Sequence, residues 1–172
     1  DATDGGGTSG SEATGETSAI SPDNTKIEFI GVHTDKQKPD NVGHFAVFKG
    51  NAKVTDGKLT AVDVEIDTDS ITTANETLTG HLKNADFFEV EEFPKATFKS
   101  TKIEDAGDGK VNITGDLTML ETTKSITFPA TVSTDGGLML ESSFEIDRTE
   151  FGMDFNTDGI EKMVKLNVTV GK

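Results

Sequence analysis

Val62-Asp63-Val64-Glu65-Ile66-Asp67, continued by Ser70-Ile71-Thr72-Thr73 and resumed at Ala96-Thr97-Phe98-Lys99-Ser100-Thr101, is the stretch that decides the fold. Its first six residues alternate apolar with acidic, the period of a half-buried strand, and its last six alternate again. Between them the alternation stops. Thr73-Ala74-Asn75-Glu76 has the form of a capping box, and Leu78 and Leu82 stand one turn apart, which predicts a single helix over residues 74–83. About ten residues is marginal for a helix alone, so packing of those leucines onto a sheet must hold it. A Phe-rich turn follows, carrying Phe87, Phe88 and Phe93-Pro94. An all-β chain that inserts one helix and an aromatic turn at this point is expected to be covering a mouth.

Outward from that block the chain reads as strands and turns. Ile27, Phe29 and Gly31 alternate with polar neighbours, apart from Ile30. From Gly43 the apolar face carries Phe45 and Val47, then shifts by one residue to Phe48, Gly50, Ala52 and Val54, the parity change of a β-bulge. Asp56-Gly57 turns the chain into Leu59–Asp67. After the helical block come Val111–Met119, Ile126–Val132, Leu138–Ile146 and Val164–Val170, the second entered through Asp108-Gly109 and the fourth through Asp135-Gly136-Gly137, counted with the strand at 95–103. Eight strands result, each with one apolar face. By residue pattern alone a sandwich and a barrel both fit, and an eight-stranded barrel is just wide enough for side chains or one small ligand.

At 172 residues the chain is expected to hold one folded unit. Residues 1–18 contain no side chain larger than Glu and no aliphatic beyond Ala. Such a segment buries too little to offset its ordering entropy, so it reads as a disordered tether ahead of a domain over residues 19–172. A net charge of −15 argues against nucleic acid and anionic membrane surfaces as partners. The absence of cysteine removes disulfides and thiol chemistry. The Gly/Ser/Thr/acidic tail resembles the spacer of a lipid-anchored protein, with the anchoring residue preceding Asp1.

Eleven Phe with no Tyr and no Trp offer apolar area without a hydroxyl or indole N–H to satisfy. They suit either a solid core or a cavity for branched hydrocarbon. At about 0.8 kcal/mol per buried CH₂, each five-carbon unit brings roughly 4 kcal/mol gross. Eight units would exceed the practical ceiling of about 18–21 kcal/mol, so burial is ample and selectivity must come from cavity length and shape. His33, His44 and His81 lack short metal-ligand spacing, and no metal or cofactor is expected. His81, beside the Phe-rich turn, suits a ligand head group or a backbone cap equally in kind. Arg148 is the sole guanidinium and suits a bidentate pair with Asp86 or Asp147, or contact with a ligand. Neither a nucleophile elbow nor a phosphate loop occurs in the folded region, and the Asp67-Thr68-Asp69-Ser70 start of a calcium loop lacks its Gly and its Glu.

In order, Gly43-His44-Phe45-Ala46-Val47-Phe48-Lys49-Gly50, Ser70-Ile71-Thr72-Thr73, His81-Leu82, Asp86-Phe87-Phe88, Ala96-Thr97-Phe98-Lys99-Ser100-Thr101, Gly115-Asp116-Leu117-Thr118 and Arg148-Thr149-Glu150-Phe151-Gly152-Met153 resemble the signature of the YceI-like polyisoprenoid-binding family. The resemblance covers residues 20–171. It departs at Leu78-Thr79, where family members usually carry Arg-Asp, at Glu121 in place of a Gly, and in lacking an early Trp. It implies a lipocalin-like antiparallel barrel of eight strands, the helix covering the cavity mouth. It further implies a binding protein without catalytic residues, holding an isoprenoid lipid or quinone for transport, storage or sequestration in a bacterial envelope, periplasmic or lipid-anchored. On this reading Phe29, Phe45, Leu82, Phe87, Phe88, Phe98, Leu117, Phe128, Phe144 and Phe151 line the cavity, with His81 and Arg148 at a head group. A homodimer is compatible with it. Two rivals stay open: an interaction or stress-response protein with a solid barrel, and an enzyme acting on an apolar isoprenoid substrate.

Overall fold

The computed structural model describes residues 15–84 and 87–171. Among them are eleven strands: β1 (Gly15–Ile20), β2 (Thr25–His33), β3 (Asn41–Phe45), β4 (Phe48–Thr55), β5 (Lys58–Asp67), β6 (Ile71–Thr73), β7 (Lys95–Gly107), β8 (Lys110–Met119), β9 (Thr122–Ser133), β10 (Met139–Asp147) and β11 (Ile160–Val170). One α-helix, α1 (Glu76–Leu82), follows β6, and 3-10 turns occupy Thr68–Ser70 and Arg148–Phe151. All the strands belong to one curled antiparallel sheet.

Eleven strands replace the eight expected, and the difference has a local cause in each case. Residues 43–54 form two strands because the parity change at Ala46-Val47 is a break: Phe45 and Phe48 both point inward, and the hydroxyl of Ser70 accepts from the backbone N–H groups of both intervening residues. The strand at 59–67 is followed by a 3-10 turn in which the Asp67 carboxylate accepts from the Asp69 N–H, and β6 resumes against β3. β1 pairs with β4 from Gly15↔Thr55 to Ile20↔Gly50. It therefore takes in residues 15–18 of the segment assigned to the tether; residues 1–14 of that segment lie outside the described ones.

The sheet runs in the order β1-β4-β5-β7-β8-β9-β10-β11-β2-β3-β6 and curls on itself, with β1 and β6 at its edges. β1 and β2 pair with β4 and β3 respectively, β3 and β4 pair with β6 and β5, and from β5 the ladder runs to β7 and on in succession to β11. β11 then pairs back to β2, from Val170↔Thr25 to Ile160↔His33. The hairpin turns are those the dipeptides predict: Asp56 and Gly57 sit at φ 55° and 75°, Asp108 and Gly109 at 57° and 78°.

The helix is shorter than predicted, and its cap is one position pair later. Asn75, not Thr73, accepts from the Thr77 and Leu78 N–H groups, while the Thr73 hydroxyl accepts from the Asn75 N–H. Seven residues cannot hold themselves, so Leu82 is buried in the main core. The following turn is tied back through Phe88 N–H to the Leu82 carbonyl and Val90 N–H to the Lys83 carbonyl. Thr68 anchors its far end, donating from its N–H to Pro94 O and from its hydroxyl to Phe93 O.

Candidate functional site: an apolar axial cavity

Inside the curled sheet lies a cavity of about 160 Å³. Its wall is clearest on the last strands: Leu138, Leu140, Ser142, Phe144, Ile146 and Arg148 face it at every second position. From Leu140 to Ile146 alone this spans roughly 20 Å of strand. Ile20, Thr25 and Val170 close one end; Phe88, Met153 and Arg148 lie at the other, under the turn that follows α1.

No polar atom faces this space, although three polar residues contribute to its wall. Each turns its heteroatoms away. Thr25 donates its hydroxyl to Asn24 Oδ1 at 2.7 Å, and Ser142 donates to the Pro129 carbonyl at 2.6 Å. Arg148, 3% exposed, lays its methylene stem along the wall. Its guanidinium donates to the carbonyls of Met153 (2.6 Å), Ile160 (2.9 Å) and Glu161 (3.1 Å). Burial pulls the guanidinium below its ordinary value, opposed by Asp147 and Asp154.

Asp147 is therefore not the bidentate partner of Arg148. Its carboxylate accepts from the hydroxyl and the N–H of Thr149, capping the 3-10 turn, and chiefly the hydroxyl bond holds it below the usual carboxylate range. Asp86, the other expected partner, lies outside the described residues.

Of the ten expected lining residues, Phe29, Phe45, Phe88, Phe98, Leu117, Phe128 and Phe144 stand in the wall. Their rings form two groups: Phe29–Phe45–Phe88, with centroids 5.9 and 5.7 Å apart, and Phe98–Phe128–Phe144, at 5.5 and 4.2 Å. Leu82, Phe87 and Phe151 are buried outside the wall. Phe87 packs edge-on against His81 and Phe155, and His81 meets both rings, at 5.2 and 4.9 Å, away from the cavity. Phe151 fills a satellite core with Leu117, Met119, Ile146 and Met153. Ile20, Met119 and Met153 are wall residues the sequence reading left out; Met153 carried a signal, in the Phe151-Gly152-Met153 motif, and Ile20 carried none. His33 and His44 lie apart from the cavity, His33 Nδ1 3.0 Å from the Pro39 carbonyl. Among the described residues no cluster of three or more His, Asp or Glu could hold a metal ion, and no helix is long and apolar enough to cross a membrane.

A second hollow lies on the outer side of the lid, lined by Asp67, Asp69, Lys83, Glu89, Glu91 and Glu92 among others. Lys83 pairs there with Asp69 at 3.3 Å. It is polar, open to solvent and separate from the axial cavity.

The family model that describes the YceI-like domain matches residues 19–171. A UPF0312 protein of Vibrio parahaemolyticus is 37% identical over 109 residues, covering 62% of this chain and 54% of its own length. The chain thus spans about half of that relative. A UPF0312 protein of Shewanella denitrificans is 34% identical over 143 residues, 75% of this chain and 72% of the relative. Among solved structures, BcnA of Burkholderia cenocepacia superposes with a TM-score of 0.78 at 23% identity, covering 85% of this chain and 94% of that one. A polyisoprenoid-binding domain from Saccharophagus degradans superposes at 0.68 with 13% identity, covering 91% and 98%. At these identities the two structures show the fold. This chain belongs to the YceI-like family.

Proposed function

We propose that this member of the YceI-like family is a lipocalin-like barrel that binds a long apolar isoprenoid lipid, a polyprenyl chain or the tail of a quinone, along its axis. It would carry, store or sequester that lipid in the cell envelope. The observation that carries this reading is a cavity lined along roughly 20 Å of β10 whose wall offers no polar atom to a guest. Such a wall has nothing to give a sugar, nucleotide or peptide, whose polar groups would be buried unpaired. It has much to give a branched hydrocarbon. The Saccharophagus neighbour's description as polyisoprenoid-binding agrees with it at the level of the fold.

The resting volume sets a condition. A cavity of about 150 Å³ in another protein takes one benzene, so about 160 Å³ admits roughly one five-carbon unit. A longer chain must displace rings from the axis. Phe128 and Phe144, stacked at 4.2 Å with planes 12° apart, are the rings to move, together with Phe98 and Phe88. The same narrowness supports a second reading, in which the interior is essentially filled and the outer surface meets a partner. The wall exposes no nucleophile or acid–base pair to the cavity, the Thr25 and Ser142 hydroxyls being turned away, which favours binding over turnover.

Extraction of the natively expressed protein followed by lipid mass spectrometry tests the proposal. A stoichiometric isoprenoid of several units supports it. A protein that yields no apolar guest and takes up none from vesicles favours the filled-barrel reading.

A further inference from the structure

We infer that hydrocarbon enters and leaves this protein sideways, through a seam between β9 and β10 that is closed by side chains alone. The inference rests on the lipid-binding reading above and assigns its route. β9 and β10 pair over only three positions, Met139↔Ser133, Leu140↔Val132 and Glu141↔Thr131. Beyond these, residues 122–130 of β9 pair only with β8, and residues 142–147 of β10 pair only with β11. The unpaired length is about 20 Å at 3.3 Å per residue.

The cause is one residue. Val132 N–H donates to Gly109 O, toward the β8 side, so odd-numbered residues of β9 turn their backbone groups toward β10. The next donor that the ladder needs belongs to residue 129, which is proline and has none. Its carbonyl is taken by the Ser142 hydroxyl instead. Above that point Arg148 binds the carbonyls of Met153, Ile160 and Glu161, which holds the top of β10 against the β11 side.

What fills the gap is apolar and belongs to the cavity. Ile126 and Phe128 from one edge, and Phe144 and Ile146 from the other, all line the axial space. Ile126 and Phe144 point inward yet remain half-buried, as expected of a wall with solvent on its far side. The Phe128–Phe144 stack lies where a continued ladder would place a facing pair, so the rings substitute for the missing main-chain bonds. Swinging two rings opens this route without breaking backbone hydrogen bonds.

Other routes cost more. The lid turn is tied by main-chain bonds at Phe88, Val90 and Thr68. A second gap, between β5 and β7 below Asp63↔Lys99, is bridged by Val62 N–H to the Ser100 hydroxyl and by Lys58 to Asp105. Among the described residues, the β9–β10 seam, bridged by the single Ser142–Pro129 hydrogen bond, combines an unpaired backbone with an apolar closure backed by the cavity.

The chain contains no cysteine, so engineered pairs are unambiguous. Thr127 and Glu145 are solvent-facing and opposed across the seam by the register of Thr131 and Glu141. The double variant T127C/E145C, closed by oxidation or by a bis-maleimide, is compared with T73C/T79C, whose hydroxyl positions lie 2.8 Å apart and which locks α1 to β6. The readout is exchange of all-trans-retinol, a fluorescent four-unit isoprenoid, between protein and phosphatidylcholine vesicles. Seam closure is expected to slow exchange at least tenfold with unchanged affinity, cleavage of the disulfide to restore it, and the lid lock to leave it unaltered. Full-speed exchange through a closed seam, or arrest by the lid lock, would overturn the inference while leaving lipid binding intact. If the wild-type chain takes up no retinol, the binding reading fails and the route with it. Two variants need no cross-link: Pro129→Val, which restores the donor, slows exchange, and Phe144→Ala speeds it. No change in either would also overturn the route.

Discussion

Two glycines show how closely single residues shape this cavity. A Cβ on Gly43 would strike the Phe29 ring, and one on Gly115 would strike the Phe98 ring, so each aromatic lies flat over a bare backbone. Gly43→Ala and Gly115→Ala must each push a wall ring out of place and are expected to cost about 1–3 kcal/mol, measurable by urea unfolding. Arg148 is the second decisive residue. Arg148→Met keeps the stem but strands three carbonyls, an expected loss of roughly 2–4 kcal/mol. Because no guanidinium nitrogen reaches the cavity, residual folded protein should bind lipid with near-native affinity. Asp147 adds a pH dependence. Its folded pKa is depressed, so its contribution is present above the ordinary carboxylate value and disappears as pH falls through the lower folded one. Acid unfolding of Asp147→Asn should therefore be less steep below about pH 4. At this scale, sequence periodicity was informative only inside strands. Phe128 and Phe144 follow alternation into the wall, whereas Leu82 and Phe151 sit in helical turns where alternation has no meaning, and Phe87 in an irregular turn.

At the level of elements, the lid is the least self-sufficient part. α1 has seven residues, one capping side chain and one buried leucine. Asn75→Ala removes two hydrogen bonds and should weaken the helix by about 1 kcal/mol. Hydrogen exchange is the measurement: faster exchange over 76–93 with β8 and β11 unchanged would show the lid moving alone, and uniform loss of protection would show that it does not. The strands were legible from turns of the Asp-Gly type and from alternation. Their interruptions were less so. The parity shift near Ala46 was visible as a bulge, but a full break needed Ser70, distant in sequence, to take up the freed N–H groups. β1 was invisible because Gly15–Ser18 offers no apolar pattern; it is a strand only by virtue of the edge that β4 presents.

The whole molecule combines a strongly acidic exterior with a cavity whose wall exposes no polar atom. A charge of −15 on 172 residues repels itself, and that repulsion opposes compaction. Raising salt from about 0.01 to 1 M shortens the screening length from about 30 to 3 Å. The melting temperature should rise over that range, and a fall would mean that the surface pairs, such as Lys95–Glu65 at 3.3 Å, outweigh the net repulsion. The all-β character was readable from alternation and turn spacing, the choice of a barrel over a sandwich came from the family resemblance, and the calibre of the interior was not legible, since it depends on how rings from opposite strands meet. The bare lining also determines what kind of discrimination the protein can exercise. A lining without an exposed polar atom is blind to whether a bound chain ends in an alcohol, a phosphate or a quinone ring. On the proposed lipid-binding reading, the load would mirror whichever chains of suitable girth the protein meets, and shift whenever that mixture changes.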